Sequence, residues 1–393
     1  MMKVLFISPE FPCPPSGGGR KRVCCFLKHL SRLGADIELL TFVTGAQLEY
    51  KNSLDGFCSK VHLVEYKEPS FSAKIKRICS LKAYDFDDRF FQKLVELAPE
   101  RFAVIHLIKS QMAEYVYPLK KKRALPIIID LWACGLKGSL GDFRYEENIF
   151  RKMIIFSRIP RYAISDFRMY RSFNNFTVAS EECKKYILER HPGKNVCVAP
   201  SGIEPEDIRP FQEGLSPVNT LIFTGDMSFF PNVDAMLYFA KDIYPSIKRQ
   251  IPEVKLYIVG KDPGKEILRL GQDDHSIIVT GYVEDIYEYL AKSSIYVVPL
   301  RCGSGIRTKI LEAMASGLAV VATDISVEGI KVSDGINILL AKTSADFVSK
   351  AAELLRNPAR AKNIADHAKD LVGQEYLWET SAKKIFDFYQ DLL

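Results

Sequence analysis

Residues 298–317 read Val298-Pro299-Leu300-Arg301-Cys302-Gly303-Ser304-Gly305-Ile306-Arg307-Thr308-Lys309-Ile310-Leu311-Glu312-Ala313-Met314-Ala315-Ser316-Gly317. A buried strand ends here, glycines let the backbone turn tightly, and a helix is predicted to begin near Arg307 or Thr308 and to stop at Gly317. The free N–H groups of a helix start, on the positive end of its dipole, favour a bound phosphate. Arg307 and Lys309 add two positive charges beside that anion hole. Glu312, one helical turn further in, can accept hydrogen bonds from the vicinal hydroxyls of a ribose. The plain alternative is a strand–turn–helix whose bases face solvent.

A second glycine cluster, Gly17-Gly18-Gly19 followed by Arg20, lies in the loop from Pro9 to Arg20 behind the first apolar run. Its glycines allow the backbone to approach a donor or acceptor closely. A dinucleotide fingerprint needs Gly-x-Gly-x-x-Gly directly after the strand, whereas counting from Gly17 puts Arg22 where the third glycine would stand, so NAD is not expected. Asp85-Phe86-Asp87-Asp88 imitates an Asp-x-Asp metal motif but precedes an apparent helix, so helix capping explains it better. The six histidines stand far apart without ligand spacing, and no metal is expected. Nine scattered cysteines, odd in number and without a Cys-x-x-Cys pair, read as reduced and mostly buried thiols.

The elements that must position these loops are short, nearly continuous apolar runs separated by helical stretches, the look of strands buried on both faces of a parallel sheet. In the first half they are 4–8, 37–42, 61–64, 104–108, 127–131, 176–179 and 196–199. In the second they are 221–224, 255–259, 277–280, 295–299, 319–322 and 336–340. This predicts an α/β chain of two Rossmann-like domains, the second beginning near residue 215. The join is placed at Pro200-Ser201-Gly202-Ile203-Glu204-Pro205 together with 213–218, rich in Pro, Gly and Ser. The resulting domains are 1–205, completed by a helix at 376–393, and 206–375. That last segment has amphipathic spacing at Trp378, Ala382, Ile385, Phe386 and Tyr389, as expected if it packs back onto the first domain.

A length of 393 residues suits two domains, and 47% apolar with 26% charged residues is the composition of a folded soluble protein. The apolar start is too short for a signal peptide or a span, so a cytoplasmic protein is expected. Residues 1–200 hold 33 Lys/Arg against 21 Asp/Glu, and residues 201–393 hold 21 against 27. The basic patches, Lys120-Lys121-Lys122-Arg123 and Arg151, Lys152, Arg158, Arg161, Arg168 and Arg171, join no nucleic-acid motif. They predict contact with an anionic membrane surface, a merely solvated face being the alternative.

With 298–317 as its most specific part, the whole chain resembles the retaining glycosyltransferases of the GT-B fold, family 4, in particular bacterial exopolysaccharide and O-antigen sugar transferases. The resemblance also rests on Pro9-Glu10-Phe11-Pro12 with Pro14-Pro15-Ser16-Gly17-Gly18-Gly19-Arg20, and on Thr224-Gly225-Asp226-Met227 leading to Pro231-Asn232-Val233-Asp234-Ala235. Tyr257-Ile258-Val259-Gly260, Thr280-Gly281-Tyr282-Val283 and the closing Trp378-Glu379 extend it. It implies two domains facing across a cleft, with donor contacts at Gly303, Ser304, Gly305, Glu312, Gly225, Asp226 and Asn232 and base contacts near Gly281, Tyr282 and Val283. It further implies a nucleotide-diphosphate sugar as co-substrate, no other cofactor, and a glycan or polyprenyl-linked acceptor held at the inner membrane face.

Three departures stand out. The family's donor site usually ends in a Glu-x7-Glu pair, of which Glu312 matches the second member while Ser304 occupies the first. Many members also place an Arg and a Lys after the first strand of the second domain, where this chain has Asp226 and Pro231-Asn232, so Arg307 and Lys309 are inferred to take the phosphate role. The family's frequent N-domain histidine is missing: the comparable strand, 127–131, bears Asp130 and is followed by Trp132, and His106, at the end of another strand, is the only nearby substitute. A binding protein that has lost catalysis and a nucleotide-sugar epimerase are the competing readings.

Overall fold

Runs such as Val4-Leu5-Phe6-Ile7 and Ile295-Tyr296-Val297-Val298 are buried along their whole length, as strands covered on both faces must be. The computed structural model describes residues 2–15, 17–68, 84, 86–119, 125–132, 136, 140, 143–144, 149–208, 219–303 and 305–393, the side chains of Phe150 and Arg151 excepted. Within these, the first parallel sheet contains β1 (Met2–Ser8), β2 (Ala35–Val43), β3 (Lys60–Glu65), β4 (Val104–Ile108), β5 (Ile127–Leu131), β6 (Asn175–Val178) and β7 (Asn195–Val198) in the order β3-β2-β1-β4-β5-β6-β7. Alternation along β1 sends Leu5 and Ile7 into one apolar layer and Val4 and Phe6 into the other.

The second parallel sheet contains β8 (Thr220–Thr224), β9 (Lys255–Val259), β10 (Ile277–Gly281), β11 (Ile295–Val298), β12 (Ala319–Ala322) and β13 (Leu339–Leu340), ordered β10-β9-β8-β11-β12-β13. Both orders are Rossmann-like, and both reverse direction beside their first strand, between β1 and β4 and between β8 and β11. The crevice beyond the strand ends at such a reversal is where open α/β sheets bind ligands. The run expected as a strand over 336–340 is corrected to the two residues of β13. Its first half instead turns, with the Ser333 N–H donating to Asn337 Oδ1 (2.8 Å) and the Gly335 N–H to the Ile338 carbonyl (2.8 Å).

The chain divides into one unit of Met1–Ser201 with Trp378–Leu393 and another of Gly202–Leu377. Residues 213–218, named for the join, lie outside the described residues. In the first unit the Trp378–Asp391 helix buries Trp378, Ala382, Ile385 and Tyr389 completely. Trp378 meets Phe26 of the Gly18–Arg32 helix edge to face, the ring centroids 5.5 Å apart. Among the described residues no helix is long and apolar enough to cross a membrane.

Candidate functional site

The 298–317 stretch emerges from β11 at the reversal point of the second sheet. Its helix runs Thr308–Ala315, with Arg307 as N-cap, and ends where the Gly317 N–H reaches the Met314 carbonyl and Gly317 itself takes a positive φ of 75°. Before it, Gly303 and Gly305 both adopt positive φ, 103° and 85°, which is why glycine stands there. Ser304 lies outside the described residues. The Arg307 guanidinium folds across this loop: Nη1 donates to the Gly305 carbonyl at 2.7 Å, and a Cβ on Gly303 would stand 2.8 Å from Nη2.

Lys309 turns inward toward β8. Its Nζ donates to Asn232 Oδ1 (2.7 Å) and lies 4.1 Å from the centre of the Phe223 ring, while Asn232 Nδ2 donates to the Asp226 carbonyl (2.8 Å). A Cβ on Gly225 would come within 2.6 Å of Lys309 Nζ and 2.8 Å of Asn232 Nδ2, so a bare backbone at 225 is what admits the amine. Burial, then the neighbouring Arg307, push the Lys309 ammonium down to about 7, although Glu312 and Asp226 pull it back. A lysine so poised takes up a proton readily when an anion arrives. Glu312, half-buried, follows three residues along the same helix.

The surrounding loops are laced by backbone bonds, Gly225 N–H to Val259 O (2.9 Å) and Gly260 N–H to Gly281 O (3.1 Å). A side chain at Gly260 would overlap the Gly225 carbonyl. Asp226, pictured among the donor contacts, is turned to its own turn and to Lys261: burial alone would raise its carboxyl, but bonds from Ser228 and Lys261 hold it below the usual range. Arg301 anchors the loop from the side, pairing through Nε (2.9 Å) and Nη2 with Asp234 of the Phe230–Tyr238 helix. Gly281 takes φ 72°, Tyr282 is 72% exposed, and Val283 packs against the core. The structure thus brings Arg307, Lys309, Asn232 and Gly225 into one cluster, with Tyr282 and Val283 at the neighbouring strand end.

The first unit carries its own polar group at the reversal point of its sheet. Gly17 has φ 81°, Gly18 begins the helix, and Gly19 packs so closely on Trp132 that a Cβ would overlap the indole. Arg20 Nε and Lys109 Nζ both bond Glu10, at 3.2 and 3.1 Å, and Lys109 also lies 4.3 Å from the Trp132 ring centre. Burial would raise the Glu10 carboxyl, but Lys109 and Arg20 outweigh it and hold it below the usual range. Lys109 has φ 66° and ψ 150°, a strained backbone for a residue with a side chain. The sequence reading missed Lys109, because a lone lysine after a strand carries no signal of its torsions.

His106 and Asp130 are placed below this surface, both fully buried. His106 stacks on Phe6, bonds Tyr389 Oη through Nδ1 at 2.5 Å, and is pushed by burial to about 4, so it is a neutral core group at physiological pH. Asp130 accepts from Arg22 twice, from Thr177 and from Trp132 Nε1. Asp87 caps the Asp88–Glu96 helix by accepting from the Arg89 and Phe90 N–H groups, as capping predicts, while Asp85 lies outside the described residues. Among the described residues no group of acids, His and Cys has the arrangement to hold a metal.

The cluster of Arg307, Lys309 and Asn232 stands at a helix start over the reversal point of the second sheet. Residues 218–357 match the family of Glycosyl transferases group 1. That match falls within the second unit, Gly202–Leu377. Over 404 residues, 98% of both chains, the protein is 22% identical to a Klebsiella pneumoniae protein described as an uncharacterized 44.6 kDa protein in the cps region. It is 30% identical over 158 residues, 37% of this chain and 41% of the other, to the GDP-mannose-dependent alpha-(1-6)-phosphatidylinositol monomannoside mannosyltransferase of Mycobacterium tuberculosis. The sucrose-phosphate synthase structure from Thermosynechococcus elongatus superposes with a TM-score of 0.74 at 18% identity, covering 100% of this chain and 99% of that one. The likeness establishes the two-domain fold of GT-B enzymes for the chain.

Proposed function

We propose that this chain is a retaining, metal-independent glycosyltransferase that moves a hexose from a nucleotide-diphosphate donor to a glycan or polyprenyl-linked acceptor in cell-surface polysaccharide synthesis. The reading is carried by one observation: Arg307 and Lys309 stand at the start of a helix that follows a loop turned by Gly303 and Gly305 at positive φ. In the proposed step the bond from the sugar C1 to the diphosphate oxygen breaks while the acceptor hydroxyl oxygen bonds C1 on the same face. The acceptor proton passes to the departing phosphate, so no protein base is required. Negative charge then grows on the diphosphate, where Arg307, Lys309 and the helix N-terminus stabilise it. Donor binding falls to residues 206–375 and acceptor binding to residues 1–205, with Gly17–Arg20 lining the acceptor side. The likeness to a cps-region protein over nearly full length supports the polysaccharide role. Such acceptors sit at the inner membrane face, which supports a cytoplasmic enzyme in peripheral contact with anionic lipid.

Incubation with a panel of sugar nucleotides, following nucleotide diphosphate release with and without a lipid-linked acceptor, tests the reading. Acceptor-dependent release is expected; binding without release indicates a protein that has lost catalysis, and sugar isomerisation without release indicates an epimerase.

Glu312→Gln is expected to weaken donor binding without adding a limb to the pH profile, because Glu312 serves the ribose and not proton transfer. Unchanged donor affinity by calorimetry would contradict that role. Lys309 gives a separate pH signature. Its ammonium lies near 7 in the free protein, and a bound diphosphate raises it, so binding favours the protonated form. Affinity for nucleoside diphosphate is therefore full below pH 7 and falls by up to about tenfold per pH unit above it, until the raised value is passed. Calorimetry at pH 8 in buffers of different ionisation enthalpy should show proton uptake on binding, absent in Lys309→Met; uptake of no proton by the wild type would refute the assignment.

A further inference from the structure

The Ile149–Ser172 helix displays an apolar stripe to solvent. Ile149, Met153, Phe156, Ile164 and Phe167 are each between 48% and 64% exposed. Their spacing of 4, 3, 8 and 3 residues confines them to an arc of about 80° at 3.6 residues per turn, along a helix of about 36 Å. From Arg161 onward the helix is anchored: Arg161, Ser165 and Met169 on the far side and Tyr170 on one flank are buried, Met169 and Tyr170 in the core of the first unit, whereas in the first half Ile154, outside the arc, is also 51% exposed. An amphipathic helix ordinarily turns its apolar arc inward. Here a large part of it faces out, in a helix with six Lys/Arg and the single acid Asp166. Arg158, Arg168 and Arg171 are themselves exposed.

We infer that this helix lies in the plane of an anionic membrane surface, its stripe among the upper acyl chains and its arginines among the headgroups. Charge decides the occupant. A second copy of the chain docked stripe to stripe about a two-fold axis would bring two strongly cationic helices together, whereas acidic phospholipid complements them. The combination of an exposed apolar arc, a Lys/Arg-rich flank and too many charges to span is that of an interfacial helix. The inference rests on the peripheral membrane contact proposed above and assigns it to inserted side chains, in place of adsorption through Lys120-Lys121-Lys122-Arg123, which lie outside the described residues.

Flotation of the full chain with phosphatidylethanolamine vesicles containing phosphatidylglycerol, against pure phosphatidylcholine vesicles, tests it. Binding to the anionic vesicles is expected, with a fraction retained in 1 M salt, where screening within about 3 Å leaves only the inserted contacts. Phe156→Glu with Phe167→Glu should bind at least about tenfold more weakly while keeping the wild-type circular dichroism. Ile164→Trp should shift its fluorescence to the blue on anionic vesicles. The inference is overturned if the double variant floats like the wild type, if salt releases all binding, or if the stripe proves to join two copies in a dimer that the double variant dissolves. None of these readouts requires sugar transfer, so a failure here leaves the transferase reading standing, and a failure to release nucleotide diphosphate leaves this one.

Discussion

Replacing Lys309 by Met, or Arg307 by Ala, is expected to lower kcat/KM for the sugar nucleotide by about 10²-fold or more, the scale for losing one preorganised charge-stabilising group. Preorganisation is visible in the structure: Lys309 is held by Asn232 Oδ1 and by the Phe223 ring, and Arg307 by the Gly305 carbonyl. Neither cation has to be gathered from solvent when the diphosphate departs. Because in the proposed step the charge on the diphosphate grows as the C1–O bond breaks, most of the loss should fall on kcat, with a smaller change in KM. Lys309→Arg should not rescue, since Nζ already sits where a Cβ on Gly225 would be only 2.6 Å away and no room remains for a guanidinium. Wild-type steady-state kinetics in both Lys309→Met and Arg307→Ala would remove these residues from the mechanism.

The second large effect is on stability and concerns the pair beneath the first unit's surface. Arg22 reaches Asp130 with two parallel bonds, Nε to Oδ2 at 2.9 Å and Nη2 to Oδ1 at 2.7 Å, with side chains 1% and 0% exposed. Burial alone would raise the Asp130 carboxyl; the Arg22 charge and bonds outweigh it and hold the group below the usual carboxylate range. Arg22→Ala strands a buried carboxylate and is expected to cost about 3–5 kcal/mol, read as a fall in unfolding midpoint on the order of 10 °C. Arg22→Met with Asp130→Leu should recover much of that, because no lone charge is left inside. The pH sign follows from the lowered carboxyl. The pair's contribution is complete above the ordinary carboxylate range and is lost as pH falls through the folded value, so wild type and Arg22→Ala should converge in acid. A midpoint for Arg22→Ala within about 1 °C of wild type at pH 7 would refute the account. Asp130 also receives the Trp132 indole N–H. Asp130→Ala is therefore a positioning change for Trp132, Gly19 and Lys109 as well as a stability one.

The strand pattern was legible because it is local. Continuous apolar runs bounded by turns mark strands buried on both faces, and each of the thirteen expected runs overlaps a strand. The misjudged length at 336–340 shows the limit: Ile336-Asn337-Ile338 is apolar enough for a strand, but Gly335 and Asn337 close a turn through side-chain and backbone bonds that hydropathy does not record. Glycine-opened loops and the Thr308–Ala315 helix start were legible for a similar reason, since positive φ selects glycine at Gly303, Gly305 and Gly317.

What the sequence determined by itself was therefore the two-sheet α/β architecture and the glycine-turned loop and helix start that carry Arg307 and Lys309. Which groups meet was decided by tertiary structure. Lys309 and Asn232, or Arg22 and Asp130, stand 77 and 108 residues apart, and no spacing rule links residues on different helices and strands. The same holds for the fate of apolar residues. The stripe on Ile149–Ser172 reads in sequence like any core-facing arc, and only the burial of Arg161, Ser165 and Met169 on the opposite side shows that it points outward. Burial is a property of the assembled sheet and helices, so a side chain's role follows from what the fold brings against it.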